Sequence, residues 1–452
     1  MTASRAPRLI VAVLIVALAS ATCQPAPTAP TLPPGPSAAG TATTPIASIA
    51  GPSPVATVDR VTGWRSDLDL LVPGMDRLHP DLDHDVTLEA LNAVVDELAA
   101  EVPNATDDEV MVGVLGIVAR VSAGGCDGHT GAFIWGTGTY PVDSLPFRLW
   151  LFEDEVVIVD ALPPYEDLIG SRIDTVEGRP IGEVLAALNP LIPRDNAQTV
   201  RLLTPRYLLI PQVLRGLGIA GDGPVALGLS LSTSVEDVRP IEHVPMAEYN
   251  AWVGPYGLHL PGDPDVLSLS NIDDDLWWQV LPDTRTLYVQ YNRVEFQTTD
   301  VLDELGAALG DPAIERVVLD VRHNFGGEVR ALDAIVELFT NVARDLPGQL
   351  FVIMGRNTFS AGSLLVARLD AGTDATLVGE ATGGCPTLFG DTTDLDLPFS
   401  GIAVSVATEL SVGVDPDDPR DTIEPDQIAP LTRDAWRDGI DRALELIFVV
   451  VV

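Results

Sequence analysis

RVVLDVRHNFGG (residues 316–327), LFVIMGRNTFSAG (350–362) and LVGEATGGC (377–385) belong to one stretch, Arg316 to Cys385, whose reading decides the fold. Each opens on a short apolar run and closes on polar residues or glycine, the pattern of a strand buried on both faces. Ala331 to Phe339 and Leu364 to Leu369 carry helical spacing between those runs. The unit is therefore predicted to be βαβαβ, with right-handed crossovers. In such sheets chemistry collects at the carboxyl ends of the strands. There lie Gly326-Gly327, Ser360-Ala361-Gly362 and Gly383-Gly384. A serine on a strand-to-helix turn, beside glycine loops offering backbone N–H groups, can supply a nucleophile and an oxyanion hole.

Working outward, the core is expected to begin near Leu276-Trp277-Trp278, with a strand at Thr286 to Tyr291 and a helix capped by Thr299 or Asp300. Downstream, Gly401 to Leu410 reads as a strand, and Val414 to Pro425 as an acidic, proline-broken loop. A last helix, Arg433 to Ile447, runs into Phe448 and four valines, too short a tail to span a bilayer. Upstream, Val142 to Ser234 is β-rich, with strands at Leu145 to Leu151, Val156 to Val159 and Arg172 to Val176 and a helix at Glu183 to Leu188. Before it, Leu88, Leu91, Val94, Val95 and Leu98 follow helical spacing, and Thr106 with Glu109 forms a capping box opening Asp107 to Ser122. His79 and His84 have no acidic or cysteine ligands at metal spacing and read as ordinary surface or loop histidines. Then SAGGCDGHTGAF (122–133) crowds glycines around His129, with Asp127 beside it.

The chain has 452 residues and a formal charge of −39, from 65 acidic and 26 basic side chains. That balance argues against nucleic acid and anionic lipid as partners. Every basic residue is arginine; there is no lysine. Arg5 and Arg8 precede an apolar run, Leu9 to Ala19, as in a secretion signal of a bacterial cytoplasmic membrane. Its end has two readings: cleavage after Ala19-Ser20-Ala21, or lipidation of Cys23 as the first residue of a lipoprotein, and the second is favoured. Gln24 onward, rich in Pro, Ala, Thr and Ser, suits a disordered tether. The expected organisation is a signal (1–23), a tether (24–60), a helical region (61–124), the His129 loop with the β-rich region (125–240), a linker (241–275) and an α/β core (276–452).

Elimination narrows the chemistry. A serine needs a base within hydrogen-bond reach. Without lysine, a Ser–Lys dyad is excluded. None of the six histidines follows Ser360, so the Ser…Asp…His order of α/β-hydrolases is excluded as well. Thr358-Phe359-Ser360-Ala361-Gly362 mimics their nucleophile elbow, but with Thr in the first position. The base must come from upstream: His129 in its glycine loop, or His323 beside Gly326-Gly327.

DGHT (127–130), VLDVRHNFGG (318–327), GRNTFSAG (355–362) and LVGEATGG (377–384), in this order, resemble the C-terminal processing (tail-specific) and tricorn-like serine peptidases. DLIGSRIDTVEGRPIGEVL (167–185) looks like the middle of a PDZ domain, which would bind an extended polypeptide by strand addition. The resemblance implies a ClpP/crotonase-like α/β core with a small N-terminal helical region and a β-rich PDZ-like domain. It implies Ser360 as nucleophile and an oxyanion hole from Ala361 and the Gly326-Gly327 loop. The tail-specific branch places a lysine where this chain has Cys385, whereas the tricorn-like branch uses a histidine that His129 matches. An acid should orient that histidine. Glu424 is the first choice, with Asp418 and Glu380 as alternatives.

With Cys23 lipidated, Cys126 and Cys385 remain as a pair, one near the expected base and one near the nucleophile. In an oxidising compartment they are expected to form a disulfide, against the alternative of two unrelated buried thiols. No metal or cofactor signature is visible. Two function classes follow: a secreted or lipid-anchored serine endopeptidase, and a non-catalytic peptide-binding lipoprotein of the same fold. An esterase using the same serine and histidine is a third reading.

Overall fold

The computed structural model describes residues 58–134, 140–230, 236–254 and 259–449. The expected signal, Cys23 and the tether up to residue 57 lie outside the described residues. Among the described residues, no helix is long and apolar enough to cross a membrane.

The organising stretch folds into a mixed α/β sheet. Its strands run in the order Leu276–Leu281, Thr286–Tyr291, Arg316–Asp320, Leu350–Met354, Thr376–Gly379 and Gln427–Ile428. The first pair is an antiparallel hairpin and every later pair is parallel. Arg316–Asp320 and Leu350–Met354 are buried along their whole length, as continuous apolar runs require in a sheet covered on both faces. The crossovers Leu332–Asp345 and Ala361–Gly372 are the two helices expected from spacing.

A second, antiparallel sheet joins Phe147–Phe152, Glu155–Ala161, Arg172–Val176, Val225–Ser230 and Glu236–Ile241. Within it, the glycine turn at Gly170, the strand Arg172–Val176, the turn at Glu177-Gly178 and the helix Ile181–Leu188 follow the order read from the sequence. Arg356 fastens this sheet to the first: its guanidinium donates to the Leu151 carbonyl at 2.7 Å and lies over Trp150.

A third sheet is a long hairpin, Thr387–Asp396 with Ala403–Val412, extended by Gly131–Ala132. It follows the core in sequence, yet Leu395, Leu397, Ile402, Val404 and Val406 pack into one apolar cluster with the N-terminal helices. Asp67, fully buried, accepts the N–H groups of Phe399 and Ser400 at 2.9 and 2.8 Å and so ties a helix to the hairpin turn.

The structure adds to expectation in several places, the helix Ala197–Leu208 and the strand Thr387–Asp396 among them. A helix, Arg60–Leu78, precedes the two that were read from the sequence; Pro73 and two glycines mask its apolar stripe of Trp64, Leu68, Leu71 and Met75. The expected linker contains the helix Met246–Val253 and the strand Val244–Pro245, which pairs with Asp143–Ser144. The last helix is two, Arg433–Arg437 and Arg442–Val449, parted where Gly439 takes φ 66°.

Candidate active site

Ser360 sits between the strand Leu350–Met354 and the helix Ala361–Gly372, with φ 53° and ψ −130°. A residue with a side chain persists there only when its surroundings over-determine it. They do. The Phe359 N–H donates to the Asn324 carbonyl at 3.0 Å, and the Ser360 carbonyl accepts the N–H groups of Ser363 and Leu364. Thr358 accepts the Gly355 N–H and donates to the Val321 carbonyl at 2.8 Å, work that glycine at this place in the elbow could not do. A Cβ on Gly326 would fall 2.5 Å from Ser360 Cβ and 2.8 Å from Ala361 N, so only glycine admits this approach.

The histidine comes from the loop after the helix Asp107–Ala119. His129 Nε2 lies 3.0 Å from Ser360 Oγ, with the Phe359 ring stacked on the imidazole at 4.6 Å. Burial pushes the ring's pKa down to about 4, against the carboxylates of Asp127 and Asp391 and the Phe389 backbone, which favour protonation. The ring is thus neutral at pH 7, the state a base requires. Its Nδ1 is buried without a well-formed hydrogen bond, and the Phe389 backbone offers only a loosely aligned one.

Several ties hold this loop. A disulfide joins Cys126 to Cys385, 259 residues apart. Phe389 N–H donates to the Cys126 carbonyl at 2.8 Å, and Ala407 N–H to Thr130 Oγ1 at 3.1 Å. Asp195, fully buried, accepts the N–H of Gly128 at 2.5 Å and of Cys385 at 3.1 Å, while its carbonyl accepts from Cys126 N–H. Burial raises the Asp195 pKa to about 7, partly opposed by those two N–H donors. The residues after it continue the clamp: Asn196 caps the helix Ala197–Leu208 and donates to the Thr382 and Asp421 carbonyls. Asn196 is legible as a helix cap; nothing in the sequence signals that Asp195 reaches both loops.

Several expected residues stand elsewhere. Glu424 is exposed, and no interaction of His129 shown here involves it. Asp418 is paired with Arg420, and Glu380 is held by Arg356 through two bonds of 3.0 Å. The acids acting on His129 are instead Asp127 and Asp391, and neither hydrogen-bonds it. Gly326 N–H is spent on Asn324 Oδ1 at 2.8 Å, which leaves Gly326 the role of close approach. Ala361 and Gly327 keep N–H groups that donate to no other group among the described residues. His323 does not reach Ser360; it is buried against His259 at 5.5 Å. His79 is not a surface residue: its side chain is fully buried, 3.2 Å from Asp127. The sequence missed that partner because it lies beyond two helices.

No protein-family model matches the chain, and no curated protein does. Solved structures share its fold. A mutant of CPAF superimposes with a TM-score of 0.60 at 12% identity, covering 86% of this chain and 96% of that one. CPAF complexed with lactacystin gives 0.57 at 13% identity, covering 86% and 97%. Lower likenesses, with TM-scores of 0.39 and 0.36, are to the photosystem II D1 C-terminal processing protease (16% identity, 86% and 97% covered) and the tricorn protease (12%, 86% and 36%). The chain has the mixed α/β, several-sheet fold of CPAF.

Proposed function

We propose that this chain is a serine-type endopeptidase acting on extended polypeptides. The observation that carries the reading is the 3.0 Å approach of His129 Nε2 to Ser360 Oγ, with the imidazole held neutral by burial. Ser360 Oγ attacks a peptide carbonyl as His129 Nε2 takes its proton; the same nitrogen returns it to the leaving amine. The oxyanion is received by the N–H groups of Ala361, at a helix N-terminus, and Gly327. The core reads as ClpP/crotonase-like, and the Arg172–Val176 region as PDZ-like, a surface for adding a peptide strand. Secretion, with a lipid on Cys23 at the outer face of the membrane, is part of this proposal and is supported by the signal and tether composition.

Among the described residues no carboxylate hydrogen-bonds His129 Nδ1, and this favours the second reading, a peptide-binding lipoprotein without turnover. Labelling with a fluorophosphonate separates the two. The enzyme is modified at Ser360 and Ser360→Ala is not; an unlabelled wild-type chain would sink the peptidase. Ester turnover without peptide turnover would identify an esterase.

A further inference from the structure

Behind the His129 loop, three side chains from two distant segments converge. His79 caps the C-terminus of the helix Arg60–Leu78, His84 follows in the next loop, and Asp127 precedes His129. The two rings stack at 5.6 Å and both lean on Phe389, at 4.7 and 4.6 Å. His79 Nε2, His84 Nε2 and Asp127 Oδ2 all lie within 4.8 Å of one another. Each of these atoms is buried and makes no hydrogen bond among the described residues. The other polar atom of each side chain is engaged: Asp127 Oδ1 accepts from Thr130 N–H, His84 Nδ1 donates to the Asp81 carbonyl at 2.8 Å, and His79 Nδ1 accepts the Asp81 N–H at 3.1 Å. Outer hydrogen bonds thus hold three side chains around one point, and His84, which donates through Nδ1, is already in the tautomer that ligates a metal ion.

We propose that His79, His84 and Asp127 bind a divalent cation of the zinc type. Two imidazoles and a carboxylate suit zinc and its first-row neighbours, whereas calcium and magnesium call for oxygen alone. His79 Nε2 and Asp127 Oδ2 are 3.2 Å apart. Bonds of about 2.0 Å in a tetrahedron space ligands by roughly 3.3 Å, so this edge is already near its coordinated length. A solvent oxygen would complete the set. His84, donating through Nδ1, has its lone pair on Nε2. The neutral His79 ring carries its proton on Nε2, because Nδ1 accepts from Asp81. Coordination moves that proton to Nδ1 and breaks the Asp81 bond, so no proton is lost from this ring. The ion would bind the first helices to the loop that carries His129.

The test uses the full chain, expressed without a histidine tag and stripped with chelator. Cobalt(II) is expected to bind at one equivalent with the visible absorption of a four-coordinate nitrogen- and oxygen-ligated ion, and zinc to displace it. Zinc is also expected to raise the melting temperature by several degrees. His84→Ala and the near-isosteric Asp127→Asn should each weaken cobalt binding by at least about 10–100-fold; His84 is chosen because its side chain is 12% exposed and outside the core. No cobalt band and no zinc-dependent melting shift would overturn the site, leaving His79 and Asp127 as packed neighbours 3.2 Å apart. Binding undiminished in both variants would overturn it too, by assigning the ion to surface carboxylates.

Discussion

His129 and His323 are both pressed into the protein beside the same sheet, and burial, joined at His323 by the Arg322 charge, pushes their pKa values down to about 4 and about 3. Both rings are neutral at pH 7. Only His129 faces a hydroxyl, held there by a disulfide, Asp195 and a stacked phenyl ring. Among the described residues His323 has no hydrogen bond on either nitrogen, and it lines an apolar cavity with Trp150, Leu260, Leu431 and Trp436. Desolvation makes a ring neutral; a positioned partner makes it a base.

The largest effect that would break this contrast lies at His129. His129→Ala should cost about 10²–10⁴ in kcat/KM on a peptide substrate, while His323→Leu leaves turnover per folded molecule unchanged. A comparable loss in both would mean that the two histidines share the chemistry. Next comes the clamp. Replacing Cys126 and Cys385 together with alanine should remove about 2–5 kcal/mol of stability in a urea titration. It should also lower turnover, since the His129 loop loses its bond to the loop facing Ser360.

The pH profile sharpens the comparison further. Because His129 must be neutral to act, the acid limb of kcat/KM should fall near pH 4 rather than at the ordinary histidine value of 6.5. A limb at 6.5 would place the working base outside the buried site. Stability should respond more gently. Below pH 6.5 the unfolded chain takes up protons that the folded His129, His259 and His323 refuse until about pH 4, 3 and 3. Stability therefore falls as pH drops through that window. Asp195 works the other way, keeping up to about pH 7 a proton that the unfolded carboxyl releases near 3.8. Melting temperatures across pH 4 to 7 should fall less toward acid in His323→Leu and more steeply in Asp195→Asn.

Much of the core was legible. The runs at Val317 to Leu319 and Leu350 to Met354 read as strands covered on both faces, which they are, and the glycines after them as loops beside Ser360. Absence of lysine reduced the candidate bases to imidazoles. Less legible was the helix Arg60–Leu78, because propensity penalises Pro73 while tertiary packing on the hairpin outweighs it. Glu424 was chosen from its place along the chain, and the fold leaves it in solvent.

The sequence by itself determined the strand–turn–helix that exposes Ser360, the glycines around it, and the kind of side chain that could serve as its base. Those are local matters of apolar period and backbone freedom. Tertiary structure alone decided that His129, which a family resemblance had pointed to, stands 3.0 Å from the serine, that Asp195 grips both loops, and that His79 finds Asp127. Each of these joins segments far apart in the chain, and their distance in space is set by how whole sheets and helices pack, which no short spacing encodes.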